Sequence, residues 1–284
     1  MAPDRRYRYL LVDVDGTLLD SRGRLTKRTL DALWRAVGAG MTLTLASGRT
    51  YNSLRRVTEG LALPPFHMIA NGGAVGLTPG GVEVRYTAYL DPDHWRGVVR
   101  DLEAEGLSPL VFSHRHPEPP LFHVGPLAGG PHFEAYLGRN RAYCRPERDL
   151  AGSDIPRVVE VAALGRNPSF EAASERTLRR HGERLRCHSM VLYLNDQWGR
   201  ITEFFAPGTS KWQAFAGLFP TGAAHPEQVI AIGDEANDVE MIRAAGLGIA
   251  MGNAVPAVQA VARRITADLD HDGVALALEA VLGE

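Results

Sequence analysis

The sequence predicts an α/β fold, in which a parallel sheet and its covering helices are interrupted by an inserted α+β segment. Short apolar segments alternate with helical periodicities near the start of the chain, and the same alternation returns near its end. The stretch between them is less regular and richer in Pro, His and Arg. Strands that alternate with helices are typical of a parallel sheet. We therefore assign residues 1–81 and 190–284 to the sheet domain and residues 82–189 to an inserted α+β cap domain.

The first half of the sheet domain begins with an apolar strand over residues 9–14, which Asp15-Gly16-Thr17 ends with a turn. Apolar residues then recur at helical spacing from Thr26 to Val37, and the Thr26 hydroxyl can cap that helix. Two further strands are predicted over residues 41–46 and 66–70, each followed by a turn that contains glycine. This order of elements predicts a Rossmann-like parallel sheet.

The second half repeats the pattern, with an apolar strand over residues 228–232, a helical period over 239–245 and a short strand over 247–250. In open parallel sheets, ligands bind beyond the carboxyl ends of the strands. Each polar cluster described below follows such a strand or begins a helix. We therefore expect segments that are far apart in sequence to form one site.

Composition excludes several classes of partner. The 284 residues are 45% hydrophobic and 23% charged, and the formal net charge is -2, so no general positive field attracts nucleic acid or anionic lipid. Two cysteines, Cys144 and Cys187, cannot build a disulfide scaffold. No apolar run approaches the ~20 residues of a membrane span. We expect a cytoplasmic protein without nucleic-acid or membrane partners, as a monomer or small homo-oligomer.

Two carboxylates, Asp13 and Asp15, lie two positions apart at the end of the first strand. Strand periodicity would place both on one face, but the turn would let them diverge around a phosphate. A calcium loop of the EF-hand type is excluded, because Thr17 and Leu18 stand where that loop needs Asp or Asn and then Gly. A plain acidic turn remains the alternative.

A second acidic cluster, with Asp234, Asn237 and Asp238, follows the strand over residues 228–232. Asn237 or Asp238 could simply cap the next helix. Asp234 is harder to explain in this way, because two acidic clusters at neighbouring strand ends would repel each other unless a divalent cation joined them. Oxygen ligands without His or Cys favour Mg²⁺.

Groups that could hold phosphoryl oxygens occur in two further places. Ser47 and Arg49 flank Gly48 after the second strand, although a Ser-Gly turn is also common without any function. Lys211 lies at the start of a predicted helix, where the helix dipole mildly disfavours a cation. A solvated lysine is the alternative, and a bound phosphoryl group would explain its position.

Five segments carry a resemblance to a known family, and they occur along the chain in the order Asp13-Val14-Asp15-Gly16-Thr17-Leu18-Leu19, Ser47-Gly48-Arg49, Asn71-Gly72-Gly73, Gly208-Thr209-Ser210-Lys211 and Gly233-Asp234-Glu235-Ala236-Asn237-Asp238. Together they resemble the haloacid dehalogenase (HAD) superfamily, and more closely its Cof-type phosphatase branch, subfamily IIB with a C2 cap. Ala250-Met251-Gly252-Asn253-Ala254 and Asp272-Gly273-Val274 resemble the C-terminal segment of that branch. The resemblance implies a HAD core interrupted by the cap.

The resemblance also implies residue roles. Asp13 would be the nucleophile that forms an aspartyl-phosphate, and Asp15 would be the general acid and then the base. Mg²⁺ would be bound by Asp13, by the backbone carbonyl of Asp15 and by Asp234, with Asp238 in support.

Phosphoryl oxygens would be held by Ser47 and Lys211. The remaining substrate-binding residues implied by the resemblance are Gly48, Arg49, Asn71 and Asn237.

The function predicted on this basis is hydrolysis of the phosphate monoester of a small metabolite, such as a sugar phosphate. Two alternatives stay open: a phosphomutase or phosphotransferase on the same scaffold, and a non-catalytic metabolite-binding protein. Within the cap, we interpret His114, His116 and His123 as loop or surface histidines, and Arg139, Arg141 and Arg145 as solvated.

Overall fold

The computed structural model describes residues 6–114, 121–127, 129–166, 168–194, 197–219 and 225–283. The chain divides into two compact units, of which one comprises Met1–Thr87 with Ser210–Glu284 and the other Ala88–Thr209. The predicted α/β fold class is confirmed.

Strands were identified in both units. In chain order they are β1 (Tyr9–Asp13), β2 (Thr42–Ala46), β3 (Phe66–Ala70), β4 (Val75–Leu77), β5 (Val84–Thr87), β6 (Pro109–Ser113), β7 (Leu121–Val124), β8 (Cys144–Pro146), β9 (Val158–Gly165), β10 (Arg186–Leu194), β11 (Gln197–Phe205), β12 (Val229–Gly233), β13 (Leu247–Ala250) and β14 (Arg264–Ile265).

The helices alternate with these strands, and short 3₁₀ turns join several of them. In chain order they are α1 (Lys27–Gly38), α2 (Tyr51–Thr58), α3 (Pro92–Ala104), α4 (Pro131–Asn140), α5 (Pro168–His181), α6 (Lys211–Leu218), α7 (Val239–Ala244), α8 (Pro256–Gln259) and α9 (Gly273–Leu282). Within the described ranges, none of them is both long enough and apolar enough to cross a membrane.

The first unit, here called the core, contains an eight-stranded sheet in the order β14-β13-β12-β1-β2-β3-β4-β5. Neighbouring strands from β14 to β3 run parallel, and β4 and β5 complete one edge as antiparallel strands. Leu10, Leu11 and Val12 of the central strand β1 are fully buried, as expected for a strand that is covered on both faces. The carboxyl ends of β1, β2 and β12 therefore meet at one edge.

The second unit, here called the cap, contains a six-stranded sheet in the order β10-β11-β9-β6-β7-β8. Its pairs are antiparallel except for β7 with β8. Trp95 of α3 and Phe170 of α5 pack in one apolar cluster with Val111 of β6 and Phe204 of β11. The cap therefore has its own hydrophobic core.

The two units divide after Thr87 and after Thr209, whereas the predicted boundaries fall after residues 81 and 189. At the first boundary, β5 still pairs with β4 of the core sheet. At the second, β10 and β11 form a hairpin that joins the cap sheet through β9. Because of this strand pairing, both boundaries in the structure lie closer to the C-terminus than the predicted ones.

Candidate active site

Polar side chains from several segments meet at the carboxyl edge of the core sheet. Asp13 ends β1, Asp234 follows β12, and Lys211 begins α6. All three side chains are buried, although charged residues are almost never fully buried unless they are paired. The cluster therefore needs a physical account of how its charges are balanced.

Lys211 supplies the positive charge of this cluster. Its Nζ donates to Asp13 Oδ1 at 2.5 Å, to Asp238 Oδ1 at 2.6 Å and to Asn237 Oδ1 at 3.2 Å. Burial by itself would lower the pKa of Lys211, but the charges of Asp13 and Asp238 outweigh burial and raise it. Lys211 is therefore a cation at neutral pH, and the alternative of a solvated lysine is wrong.

The pKa of Asp13 is raised as well, but for a carboxyl group this favours the neutral form. Burial raises its pKa well above the usual range, and Lys211 opposes that shift, while Asp238 and Asp234 add to it. The ionised form of Asp13 therefore depends on positive charge that is brought close to it.

Asp238 also organises the loop after β12. Its Oδ2 accepts backbone N–H bonds from Asp234 and Glu235, each at 3.0 Å. The Glu235 side chain in turn accepts from the backbone N–H of Asp238, so that the two residues form a capping box. Asp238 thus joins the loop geometry to Lys211.

The carboxylates could also hold a metal ion. Asp13, Asp234 and Asp238 are buried, and each offers an oxygen within 4.8 Å of the others. Burial raises the pKa of Asp234 to about 7, although the Thr17 hydroxyl opposes the shift. Hard oxygen donors and uncompensated negative charge fit a divalent cation such as Mg²⁺.

The turn after β1 packs directly against Asp234. Thr17 Oγ1 donates to Asp234 Oδ1 at 2.7 Å, and Asn253 Nδ2 donates to the backbone oxygen of Gly16 at 2.9 Å. Gly16 has φ 82°, and a Cβ at this position would collide with the Asp234 carboxylate. Sequence reasoning did not assign Thr17 or Asn253 to the site, although both lie in the segments that carry the resemblance.

The carboxylate of Asp15 is exposed, unlike those of Asp13, Asp234 and Asp238. The Arg49 guanidinium binds this carboxylate bidentately, with Nε donating to Oδ2 at 2.7 Å and Nη2 donating to Oδ1 at 2.6 Å. This hydrogen bonding raises the pKa of Arg49. Arg49 therefore fixes the position of the Asp15 side chain.

Two loops complete the edge of the sheet. Ser47 Oγ donates to Asp15 Oδ2 at 3.3 Å and accepts from the Arg49 backbone N–H at 3.0 Å, with Gly48 between them. Asn71 follows β3 with φ 49°, and its N–H donates to the Arg49 carbonyl at 2.8 Å. The structure thus groups Asp13, Lys211, Asn237 and Asp238 in one contact set with Asp234 beside it, and Asp15, Ser47 and Arg49 in another.

Among the cap residues, the interpretation of His123 as a loop or surface histidine is wrong. His123 lies in β7 and is buried, because β7 is an inner strand of the cap sheet. His114, which follows β6, is buried as well. His116 lies outside the described residues. The three arginines predicted to be solvated, Arg139, Arg141 and Arg145, are exposed.

Comparison with known proteins gives consistent matches across both units. The sequence profile of haloacid dehalogenase-like hydrolases matches residues 10–118 and 136–278. Pyridoxal phosphate phosphatase YbhA of Escherichia coli (strain K12) is 26% identical over 283 residues, covering 94% of this chain and 96% of that protein. A haloacid dehalogenase-like hydrolase from Bacteroides thetaiotaomicron superposes with a TM-score of 0.77 at 25% identity, covering 97% of this chain and 99% of the other.

A further relative is a larger plant protein. Chloroplastic endoribonuclease YBEY of Arabidopsis thaliana is 26% identical over 286 residues, which cover 96% of this chain. The chain spans only 46% of the length of that protein.

Proposed function

The chain belongs to the haloacid dehalogenase-like hydrolase family, and from this premise we propose that it is a Mg²⁺-dependent phosphatase of small phosphorylated metabolites. The observation that carries this proposal is the buried contact of Lys211 with Asp13 beside Asp234 and Asp238. A carboxylate can attack phosphorus once nearby positive charge offsets its own charge and that of the phosphate.

In the proposed reaction, Asp13 attacks the phosphorus atom, an Asp13–phosphate bond forms, and the bond to the leaving oxygen breaks. Asp15 gives its proton to that oxygen and then takes one from the water that hydrolyses the aspartyl-phosphate. Release of inorganic phosphate restores Asp13. The exposure of the Asp15 carboxylate supports this division of roles, because its proton has to reach the leaving group rather than Asp13.

Lys211 would contact the phosphoryl oxygens from the side of Asp13, and the Ser47 hydroxyl would do so from the loop after β2. Ser47 already hydrogen bonds to the Asp15 carboxylate, so that one loop would orient both the phosphoryl group and the general acid. Gly48, Arg49, Asn71 and Asn237 would complete the binding of the substrate.

The cofactor proposed for the site is Mg²⁺, held by Asp13, Asp234 and the backbone carbonyl of Asp15, with Asp238 in support. When bound, it would supply positive charge that neutralises the phosphoryl oxygens. The three buried carboxylates support this assignment, since a single lysine balances only part of their charge.

For the substrate class, the name of the Escherichia coli relative supports a small phosphate monoester. Ribonuclease activity is not carried over, because the plant relative is matched over less than half of its length.

The test is phosphate release from a panel of sugar phosphates, nucleotides, pyridoxal phosphate and p-nitrophenyl phosphate, with Mg²⁺ and with EDTA. We expect turnover only with Mg²⁺ and its loss in Asp13→Asn. Asp31→Asn is the matched control, because Asp31 is an exposed aspartate paired with Lys27. Activity of Asp13→Asn equal to that of the wild type would refute the nucleophile. Formation of a phosphorylated product in place of inorganic phosphate would instead indicate phosphotransfer.

A further inference from the structure

The cap contains a polar cavity whose described lining residues have no role in the reaction proposed above. Its volume is about 270 Å³, and Ser113, His123, Arg145, Glu147 and Ser153 are among the residues that line it. All of these residues belong to the cap unit. A cavity lined by convergent polar groups is a candidate ligand site.

A serine, a histidine and a glutamate form a hydrogen-bonded chain along this cavity. Ser113 Oγ lies 3.2 Å from His123 Nε2, and His123 Nδ1 lies 2.9 Å from Glu147 Oε1. Ser113 and His123 are both buried. A hydroxyl within reach of an imidazole that a carboxylate orients is the arrangement by which enzymes activate a serine.

Strand register explains how these three side chains come together. Ser113 of β6 lies opposite Leu121 of β7, so His123, two residues further along, is its diagonal neighbour on the same face. His123 in turn lies opposite Arg145 of β8, and Glu147 follows two residues later. The pairing of β6 with β9 is also irregular at Ser113, and such irregularities re-aim side chains.

The carboxylate of Glu147, the last member of this hydrogen-bonded series, is suited to orient the imidazole of His123. The hydrogen bond from His123 lowers the pKa of Glu147, and Ser153 Oγ donates to its second oxygen at 3.0 Å. An ionised Glu147 favours the tautomer with the proton on Nδ1 of His123. In that tautomer, Nε2 is the acceptor for the proton of the Ser113 hydroxyl.

We propose that Ser113 is an activated nucleophile and that the cap cavity is a second catalytic site, which hydrolyses esters of short carboxylic acids. This inference does not rest on the proposed phosphatase function. The volume of the cavity fits a small acyl group, and Arg145, whose Nε lies 3.4 Å from Glu147 Oε1, helps to keep that carboxylate ionised.

The reaction proceeds in two balanced steps. Ser113 Oγ forms a bond to the acyl carbon and passes its proton to His123 Nε2, and the bond to the alcohol oxygen then breaks as that oxygen takes the proton from His123. A water molecule next attacks the acyl carbon and gives a proton to His123. The Oγ–acyl bond breaks, the proton returns to Ser113, and a carboxylic acid leaves.

The alternative is that the same hydrogen bonds only fasten the segment around Glu147 and Ser153 to the cap sheet. Ser153 Oγ does donate to the backbone oxygen of Asp149 at 2.7 Å, within that segment. A structural network predicts no enhanced reactivity of Ser113 toward electrophiles. The two readings therefore differ in a chemical property that can be measured.

The test uses the full chain carrying Asp13→Asn, so that the core carboxylate cannot contribute. The protein is treated with a fluorophosphonate, and p-nitrophenyl acetate hydrolysis is followed in parallel. We expect one adduct, mapped to Ser113 by mass spectrometry. Ser113→Ala and Glu147→Gln should each lower acetate hydrolysis at least about 100-fold.

Ser108→Ala is the matched control, since Ser108 is a cap serine that donates to the backbone oxygen of Leu127 and does not belong to the described lining of the cavity, and it should keep the adduct on Ser113. Thermal unfolding checks that each variant is folded. Absence of an adduct on Ser113 in the folded Asp13→Asn protein overturns the proposal, as does labelling at Ser153 instead. Because that result needs no substitution in the cap, it stands even if Ser113→Ala fails to fold.

Discussion

Replacement of Lys211 by methionine removes the cation that lies between Asp13 and Asp238 but keeps most of the volume of the side chain. All three charged groups are buried, and Nζ lies 2.5 Å and 2.6 Å from the two carboxylates. Removing one partner from a buried ion pair costs about 3–5 kcal/mol. For a unit of this size, that loss lowers the Tm by about 10 °C. We also expect phosphatase activity to fall at least about 100-fold, as when one group that stabilises the transition state is removed.

The loss of stability in Lys211→Met should be larger at higher pH. Without Lys211, the pKa of Asp13 in the folded state rises further above its unfolded value. The folded state then binds more protons than the unfolded state, so its stability falls as the pH rises from the unfolded pKa of Asp13 to its folded pKa. The difference from wild type should therefore be larger at pH 8 than at pH 5. Thermal unfolding in EDTA at both pH values measures it.

Lys27→Met is the matched control for this experiment, because Lys27 and Lys211 are the only lysines of the chain. Lys27 Nζ lies 2.6 Å from Asp31, but both side chains are exposed. Such a pair contributes about 0.3–0.5 kcal/mol. A Lys211→Met protein that is as stable and as active as Lys27→Met would refute our account of charge balance in the core.

Three further outcomes are expected. Gly16→Ala should lower Mg²⁺-dependent turnover at least about 100-fold in the phosphate-release assay, because its Cβ would collide with Asp234. Gly23 also has a positive φ but open space around it, so Gly23→Ala should keep full turnover in the same assay. Arg49→Met should lower kcat/KM about 10- to 100-fold by freeing the carboxylate of the proposed general acid, while the Tm changes little because the ion pair is part-exposed. Burial raises the pKa of the Cys187 thiol to about 12, so Ellman's reagent at pH 8 should modify Cys187 only after denaturation. Modification of Cys187 in the folded protein within minutes would contradict this.

The strands and helices of the core were predictable because residues that are close together in the sequence determine them. The apolar segment 66–70 coincides with β3, and Thr26 caps α1 by accepting from the Thr29 N–H, as its position predicted. The rule that parallel strands end at one edge then predicted that Asp13 and Asp234 would lie in one place. Strand order itself was not needed for that inference.

Contacts made by single side chains across long sequence separations were not predictable in the same way. The hydrogen bond of Thr17 to Asp234 joins residues 217 positions apart, and no local pattern signals it. In the cap, Pro- and His-rich composition suggested loops, yet His123 is buried because β7 pairs on both sides. Strand formation depends on the neighbouring strands more than on the residues of the strand itself, and those neighbours come from distant segments.

The raised pKa values in the core and its fit to a divalent cation follow from the same arrangement of charges. Asp13 and Asp234 bind protons too readily because burial has removed water and Lys211 alone does not replace the missing positive charge. A cation placed among these oxygens would displace the protons and leave Asp13 ionised, which is the form that attacks phosphorus in the proposed reaction. A phosphate brings further negative charge to this edge of the sheet. Binding of metal and of substrate are therefore expected to reinforce each other, with Lys211 keeping the cluster folded when both are absent.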